Sequence, residues 1–249
     1  MRLYIHADTQ NKPMFQFPWD YHLSLTSFVY DCLSKYDEKL ASQLHQSENP
    51  PPFSFSNFMQ TGPFRANDKG LLFTRGYLSV SSIDSRIVEA VRQYLLEKES
   101  SLKIGHTDVP VVGQTVENVT GESGTVTYET LSPIALGEQP YSSDQGTREW
   151  YLPSDPMWSA RLRENVRKMK KEREGLPEEF MFRVKDYNWV DKKVKRLTED
   201  VEVPCARMSL DIEADEQTSE FIQKFGVGER TGLGFGNIIR KQDMPQKHR

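Results

Sequence analysis

The chain's five histidines are its candidates for proton transfer near neutral pH, because the ordinary pKa of an imidazole lies closest to that range. His6 falls on a predicted first strand, and His22 lies at the start of a predicted helix. His45 ends a second helical stretch, while His106 lies in a loop-like stretch and His248 in the C-terminal tail. The pattern alone does not rank His22 against His45, since each also fits a surface or helix-end histidine without a chemical role.

A glycine-rich segment, residues 226–236 with the sequence GVGERTGLGFG, is the second feature with chemical potential. It holds five of the chain's fifteen glycines: Gly226, Gly228, Gly232, Gly234 and Gly236. The segment follows a predicted helix, which Asp215 caps, and precedes a predicted strand, Phe235 to Ile239. This order is the reverse of nucleotide-binding loops, where the helix follows the loop and its N-terminus binds phosphate.

Two interpretations of the glycine segment stay open from the residues alone. The glycines could serve a long, tight turn that needs positive φ at several positions. Alternatively, they could expose backbone N–H groups without side chains, against which a phosphodiester chain lies closely. In the second case Arg230 adds a charged, forked donor for phosphate within the same segment.

A strongly basic helix is predicted from residue 156 to residue 175. Ser154, Asp155 and Pro156 form a helix-start signal, and Gly175 and Pro177 mark its end. Its cations are Arg161, Arg163, Arg167, Lys168, Lys170, Lys171 and Arg173, and an apolar stripe runs through Leu162, Val166 and Met169. The helix therefore docks on a core, and its basic flanks either contact phosphates or are simply a solvated charged face.

Composition limits the classes of protein that fit. The chain has 249 residues, 37% of them hydrophobic, and a formal net charge of −4, which together indicate a folded protein without a uniformly basic surface. Positive charge is instead local, since residues 156–196 carry thirteen Lys/Arg and seven Asp/Glu. Cys32 and Cys205 are far apart in apolar contexts, and no Cys or His pair has metal-ligand spacing. We expect a cytoplasmic protein without a membrane span, a metal or a cofactor.

Hydrophobic periodicity predicts strand, helix, strand, strand, helix, strand in the first half, which is the order of a ferredoxin-like unit. The second half repeats the order with longer insertions. The predicted elements of the first half are strand 2–7, helix 20–33, helix 38–45, strand 53–58, strand 71–81, helix 84–98 and strand and loop 103–119. Those of the second half are strand 125–135, helix 156–175, strand 180–190, strand 205–212, helix 215–225 and strand 235–239.

The glycine segment resembles the signature of the repeat-associated (RAMP) proteins of CRISPR systems. Further motifs occur in the order and spacing of the CRISPR-repeat endoribonuclease, which cuts precursor CRISPR RNA within its repeats. These motifs are Phe17-Pro-Trp, Phe28-Val-Tyr30, Leu44-His45, the run Phe53 to Met59, and Thr130-Leu-Ser-Pro-Ile-Ala135. The resemblance covers Met1 to about Lys241. It implies an α+β fold of tandem ferredoxin-like (βαββαβ) domains packed together, which we divide at residues 1–120 and 121–249.

The resemblance also implies catalytic residues. His45 matches the family histidine as general acid or base, and Tyr30 matches the tyrosine that orients the attacking 2′-hydroxyl or shares in proton transfer. Tyr30 equally fits a buried tyrosine with a bonded hydroxyl. Many relatives carry a lysine a few residues after the histidine, where this chain has Pro51 or Pro52. The substitutes we consider for that cation are Lys35, Lys39, Arg65 and Lys69, and His22 is a further candidate for the chemistry.

CRISPR repeat RNA is the partner that the resemblance implies, with other CRISPR-associated subunits as further partners of a monomer or homodimer. The RNA-binding candidates are the five glycines of residues 226–236, Arg230, Arg163, Arg167, Lys170 and Lys171. The predicted reaction is metal-independent cleavage by the 2′-hydroxyl. A RAMP subunit that binds RNA without cutting is the alternative. An unrelated small-molecule enzyme with a phosphate loop is a third reading, which the helix-loop-strand order disfavours.

Overall fold

The computed structural model describes residues 1–9, 14–47, 49–97, 101–104, 107–138, 149–197 and 201–245. His106, His248 and most of the predicted loop 137–147 lie outside the described residues. The first half contains β1 (Arg2–Asp8), β2 (Phe15–Phe17), α1 (Tyr21–Tyr36), α2 (Glu38–Gln46), β3 (Phe53–Phe55), β4 (Met59–Gln60), β5 (Phe64–Asn67), β6 (Gly70–Phe73), β7 (Arg75–Ser82), α3 (Ser85–Glu97), β8 (Ser101–Ile104) and β9 (Thr107–Glu117). The second half contains β10 (Gly124–Thr130), β11 (Gly137–Glu138), β12 (Glu149–Trp150), α4 (Trp158–Arg173), β13 (Phe182–Arg196), β14 (Glu202–Ala214), α5 (Glu216–Phe225) and β15 (Ile238–Arg240).

The main sheet of the first half has the strand order β3-β7-β1-β9-β8. Strands β1 and β7 alternate, so that Leu3 and Ile5 point to the same face as their register partners Val80 and Leu78. This face is covered by α1 and α3, and the side chains between them form one hydrophobic core. The strands β2, β6 and β5 form a separate small sheet at one side.

The second half repeats this arrangement, with a sheet of order β13-β14-β10-β15. Its core is filled by the apolar stripe of α4, by α5 and by one face of the sheet. Counting only the strands of each βαββαβ unit, both sheets have the order 2-3-1-4, which is that of the ferredoxin-like fold. The predicted tandem α+β fold is therefore confirmed. The division at residue 120, between the end of β9 at Glu117 and the start of β10 at Gly124, stays a prediction.

Several predicted boundaries differ from the structure. The predicted strand 71–81 is two strands, because β6 pairs with β2 and β5 whereas β7 joins the main sheet. Helix α4 begins at Trp158, two residues later than expected. The Asp155 carboxylate accepts from the Met157 backbone N–H at 2.8 Å, and this turn precedes the helix. The last strand is also shorter and later, since residues 235–237 run as loop before Ile238.

The two halves are joined through buried polar side chains. The Arg2 guanidinium, 1% exposed, donates to the hydroxyl of Ser81 at 2.9 Å and to the carbonyl oxygens of Gln223 at 2.9 Å and Ile238 at 2.6 Å. The Asn237 amide, fully buried, donates to the Ser54 hydroxyl at 2.8 Å. Because these groups would be costly to bury unpaired, each half depends on the other for a satisfied junction.

Candidate functional site

Tyr30 and His45 lie side by side where α1 and α2 meet. The apolar face of α1 is buried in the core, and Tyr30 sits at the edge of that face. The Asp37 side chain caps α2 by accepting from the Leu40 N–H at 3.0 Å, which fixes where this helix starts and brings His45 into its last turn. The two rings meet edge to face with centroids 6.2 Å apart. The sequence predicted these two residues as a pair, and the structure brings them together.

The two members of this pair differ in their exposure to solvent. His45 is exposed and can exchange protons with a bound molecule or with water. Tyr30 is half-buried and packs edge to face against Phe53 at 6.2 Å. Burial raises the pKa of the Tyr30 phenol, so it keeps its proton at neutral pH and acts as a hydrogen-bond donor.

A groove of about 980 Å³ runs between the two halves beside Tyr30. One wall comes from α1 and the proline segment after α2, through Thr26, Tyr30 and Pro51. The opposite wall comes from α4 and the glycine segment. Its described cationic lining residues are Arg161, Lys168 and Arg230. Three carboxylates, Glu164, Glu172 and Glu229, line the same wall, so its cations are interspersed with acidic groups. The groove places Tyr30, which can donate a hydrogen bond, opposite three cationic side chains that can pair with an anionic ligand.

The five glycines of residues 226–236 are buried, so the interpretation of an open backbone surface is wrong. A Cβ at Gly232 would lie 2.2 Å from Pro51 Cγ, and one at Gly234 would lie 2.5 Å from His22 Nδ1. At Gly236, where φ is +64°, the nearest atom would be the Val227 carbonyl oxygen at 1.8 Å. Close packing and positive φ explain these glycines. Their contact with RNA stays a prediction, and among them Gly228 and Gly232 line the groove.

Two hydrogen bonds hold the glycine segment against its surroundings. The Thr26 hydroxyl donates to the Gly232 carbonyl oxygen at 2.7 Å, and the Lys195 ammonium donates to the Gly234 carbonyl oxygen at 2.7 Å. Lys195 also lies 4.4 Å from the centroid of the Phe235 ring. The sequence prediction missed Lys195, because it ended that strand at residue 190. No glycine or proline interrupts residues 191–196, and the lack of a break was the signal that the strand continues.

His22 is buried, with 3% of its surface exposed, and its ring stacks on Phe55 at 6.0 Å. Burial, with a smaller contribution from the Lys195 charge, holds the pKa of His22 well below its ordinary value. Its Nδ1 has no hydrogen-bond partner among the described residues. A neutral imidazole enclosed by the glycine segment cannot reach a ligand in the groove. His22 is therefore an enclosed residue, and the catalytic role of His45 stays a prediction.

The cations of α4 that were predicted to bind RNA differ in exposure. Arg163, Arg167 and Lys171 are exposed, as expected for side chains that contact phosphates. Lys170 is 1% exposed, and its ammonium donates to the Glu174 carboxylate at 2.9 Å and to the Gln217 carbonyl oxygen at 3.4 Å. The prediction that Lys170 binds RNA is therefore contradicted, because its charge is already used inside the protein.

The remaining cations of α4 face the groove or its border. Arg161 lies over the Tyr151 ring at 5.4 Å. Arg173 donates from Nη2 to the carbonyl oxygen of Pro50, in the segment that follows His45. The proposed substitutes for a lysine at Pro51 are elsewhere. Lys35 pairs with Glu97 at 2.6 Å, and none of Lys35, Lys39, Arg65 and Lys69 is among the described residues that line the groove.

In the described ranges, no three His, Cys, Asp or Glu side chains come together in a way that could hold a metal ion. No helix within the same ranges is both long enough and apolar enough to span a membrane.

The duplicated fold and the groove between its halves define a tandem ferredoxin-like α+β protein. The model of the N-terminal part of CRISPR-associated protein Cas6 matches residues 15–114, and the model of the Cas6 C-terminal part matches residues 116–239. The chain therefore belongs to the Cas6 family of CRISPR-associated proteins.

Individual relatives match over nearly their whole length. The chain is 23% identical to CRISPR-associated endoribonuclease Cas6 1 of Methanocaldococcus jannaschii, over 100% of this chain and 96% of the relative. A solved RAMP protein that binds different RNA substrates has a TM-score of 0.79 at 21% identity, over 96% of this chain and 99% of that chain. The product of a Cas6-related gene from Pyrococcus furiosus has a TM-score of 0.78 at 22% identity, over 98% and 99% of the two chains. At these identities the solved structures establish the shared fold.

Proposed function

We propose that this protein is a metal-independent endoribonuclease that cuts CRISPR repeat RNA within precursor transcripts and so yields mature CRISPR RNA. The observation that carries the proposal is the contact between the Tyr30 and His45 rings, with Tyr30 lining a groove whose opposite wall includes Arg161, Lys168 and Arg230. Membership of the Cas6 family and the endoribonuclease relative support it.

In the proposed reaction the ribose 2′-hydroxyl attacks the adjacent phosphorus. The P–O2′ bond forms and the P–O5′ bond breaks, which leaves a 2′,3′-cyclic phosphate and a 5′-hydroxyl. Exposed His45 takes the 2′ proton or supplies a proton to the departing 5′ oxygen. Tyr30, which keeps its phenolic proton, orients the attacking hydroxyl or shares in proton transfer.

RNA binding is assigned to α4 and to the glycine segment. Exposed Arg163, Arg167 and Lys171 on α4 contact phosphates, and Arg230, Gly228 and Gly232 contribute from the glycine segment. In an A-form stem such contacts position the RNA without reading its bases.

A second candidate function is an RNA-binding subunit that does not cut. The observation that favours it is Pro51, since this proline occupies the segment after His45 and packs on Gly232 where a cation would assist the reaction. The same groove and the same α4 cations would then serve binding alone.

One experiment separates the two functions. The protein is incubated with end-labelled repeat RNA in EDTA, beside RNA with a 2′-deoxy sugar just upstream of the scissile phosphate. We expect cleavage of the first RNA and none of the second, because the second lacks the nucleophile. Binding of both RNAs without cutting would establish the non-cleaving function. A strict requirement for Mg²⁺ would contradict the proposed mechanism.

The catalytic residue is tested with His45→Ala, and Gln43→Ala is the control because Gln43 is also exposed on α2. Loss of a general acid or base should slow cleavage by about 10²–10⁴-fold, with RNA affinity retained. Cleavage by His45→Ala at the rate of the Gln43→Ala control would remove His45 from the mechanism.

A further inference from the structure

Attack on a phosphodiester without a metal puts additional negative charge on the non-bridging oxygens of the phosphate. Fixed donors aimed at that charge are usually the largest single contribution to the rate. The cations available to the groove, among the described residues that line it, are Arg161, Lys168 and Arg230. They differ in how firmly the protein holds them before any ligand arrives.

Arg230 has an unusual backbone. Its φ of 58° and ψ of 33° are left-handed, and within the described part of the chain it is the non-glycine residue with positive φ. Two hydrogen bonds fix this geometry, from the Leu233 N–H to the Arg230 carbonyl oxygen and from the Glu229 N–H to the Ala135 carbonyl oxygen, each 2.8 Å. Such strain costs about 1–3 kcal/mol and is concentrated at functional sites.

The Arg230 side chain is under-solvated. Its guanidinium lies 5.6 Å from the centroid of the Trp150 ring, and Nε is buried with no hydrogen-bond partner among the described residues. Burial also lowers the pKa of Arg230, which shows that its charge lacks solvation. An anion that binds such a poorly solvated guanidinium stabilises its charge.

The glycine segment places Arg230 next to the elements that carry the Tyr30–His45 pair. Gly232 packs on Pro51 of the segment that follows His45, since a Cβ added at Gly232 would lie 2.2 Å from Pro51 Cγ. The Gly232 carbonyl oxygen also accepts from Thr26, one helical turn before Tyr30 on α1. Arg230 is thus held in fixed relation to both, whereas Lys168 stands exposed on α4.

We propose that Arg230 is a catalytic residue that binds the non-bridging oxygens of the scissile phosphate through its guanidinium. This inference rests on the proposed function. Arg230 forms no covalent bond and moves no proton. The proton leaves O2′ and another reaches O5′ through Tyr30 and His45, while Arg230 stabilises the charge of the phosphorane between the two steps.

The test separates rate from affinity. Single-turnover cleavage is measured at saturating protein, and affinity is measured separately on the uncleavable 2′-deoxy RNA. Arg230→Asn is the main variant, because asparagine tolerates the left-handed backbone. Arg230→Lys retains the charge without the forked geometry, and Lys168→Ala removes a groove cation that is solvated. Melting temperatures confirm that each variant is folded.

We expect Arg230→Asn to lower the saturating rate by about 10²–10³-fold, as for loss of one transition-state donor, with affinity within a few-fold of the original protein. Arg230→Lys should recover part of that rate, and added ethylguanidinium should partly rescue Arg230→Asn. Lys168→Ala should weaken affinity more than rate.

Two results would overturn the role of Arg230 and leave the proposed function intact. One is cleavage by Arg230→Asn at the unaltered saturating rate. The other is a loss confined to affinity, which would make Arg230 a binding residue only. If the unaltered protein binds repeat RNA and does not cut it, the proposed function fails and this inference fails with it.

Discussion

The glycine segment and helix α4 both border the groove, but they meet solvent in opposite ways. All five glycines of the segment are buried against protein, whereas Arg163, Arg167 and Lys171 of α4 project from the surface. A change in the first region must therefore alter the stability of the junction between the halves. A change in the second leaves the fold intact and alters what the surface attracts. One wall of the groove thus combines a segment that is fixed by packing with a helix whose outer face is defined by charge.

The largest expected effect on stability lies in the glycine segment. Gly236→Ala combines a positive φ with a Cβ 1.8 Å from the Val227 carbonyl oxygen. Strain and overpacking together should lower the free energy of unfolding by roughly 3 kcal/mol or more. Gly175→Ala is the matched control, because φ is +82° there and nothing lies within 4 Å of the added Cβ. The control should cost about 1 kcal/mol. Equal losses in chemical denaturation would show that packing is not what requires Gly236.

The exposed, charged face of α4 is tested by changing Arg163, Arg167 and Lys171 together to Glu, which reverses their charge. RNA affinity at low salt should fall, and the slope of log affinity against log salt should shrink by roughly 0.7–0.9 for each lost phosphate contact. The melting temperature should change little, because these side chains are exposed. A salt slope equal to that of the unaltered protein would leave this face of α4 as a solvated surface.

Two neighbouring lysines on α4, Lys170 and Lys171, allow the same comparison between a buried and an exposed position within one helical turn. Lys170→Ala should lower the free energy of unfolding by about 2 kcal/mol, because it removes a buried stem and its bonds to Glu174 and Gln217. Lys171→Ala should leave stability within about 0.5 kcal/mol and weaken RNA binding instead. Denaturation and RNA binding measured on both variants check the contrast, and a Lys170 variant of full stability would contradict it.

The smallest expected effect is the pH dependence contributed by His22. Its folded pKa lies well below the ordinary value, so the unfolded chain binds a proton that the folded protein rejects. Stability from this group is therefore present above about pH 6.5 and is lost below it, at up to about 1.4 kcal/mol per pH unit. The unaltered protein should lose stability on acidification more steeply than His22→Asn. Parallel curves would mean that His22 is not enclosed in solution.

The parts of this protein that local pattern determines were predictable. Apolar spacing gave the helices, and their order with the strands gave the duplicated fold. The stripe Leu162, Val166 and Met169 also indicates that Lys170 is buried. Lys170 follows Val166 by four residues and therefore lies on the same face of the helix. Lys170 was predicted to bind RNA from its charge alone, without regard to its position on that face.

The glycine segment was harder because its neighbours are remote in sequence. Gly232 meets Pro51, and Gly234 meets His22 and Phe55. No local signal encodes such contacts, so a segment without side chains equally fits an open or an enclosed surface. The Tyr30–His45 pair was found through family resemblance, since periodicity places neither ring beside the other.

The buried Arg2 has a consequence for how the chain folds during synthesis. Arg2 lies on the first strand, yet two of its acceptors are the carbonyl oxygens of Gln223 and Ile238. A nascent chain therefore leaves the Arg2 guanidinium hydrated, without these two protein acceptors, until almost all of the second half has left the ribosome. Such remote closure gives a high contact order and slow final docking. The first half alone lacks these acceptors, so Arg2 can be buried with its hydrogen bonds satisfied only once the second half has docked.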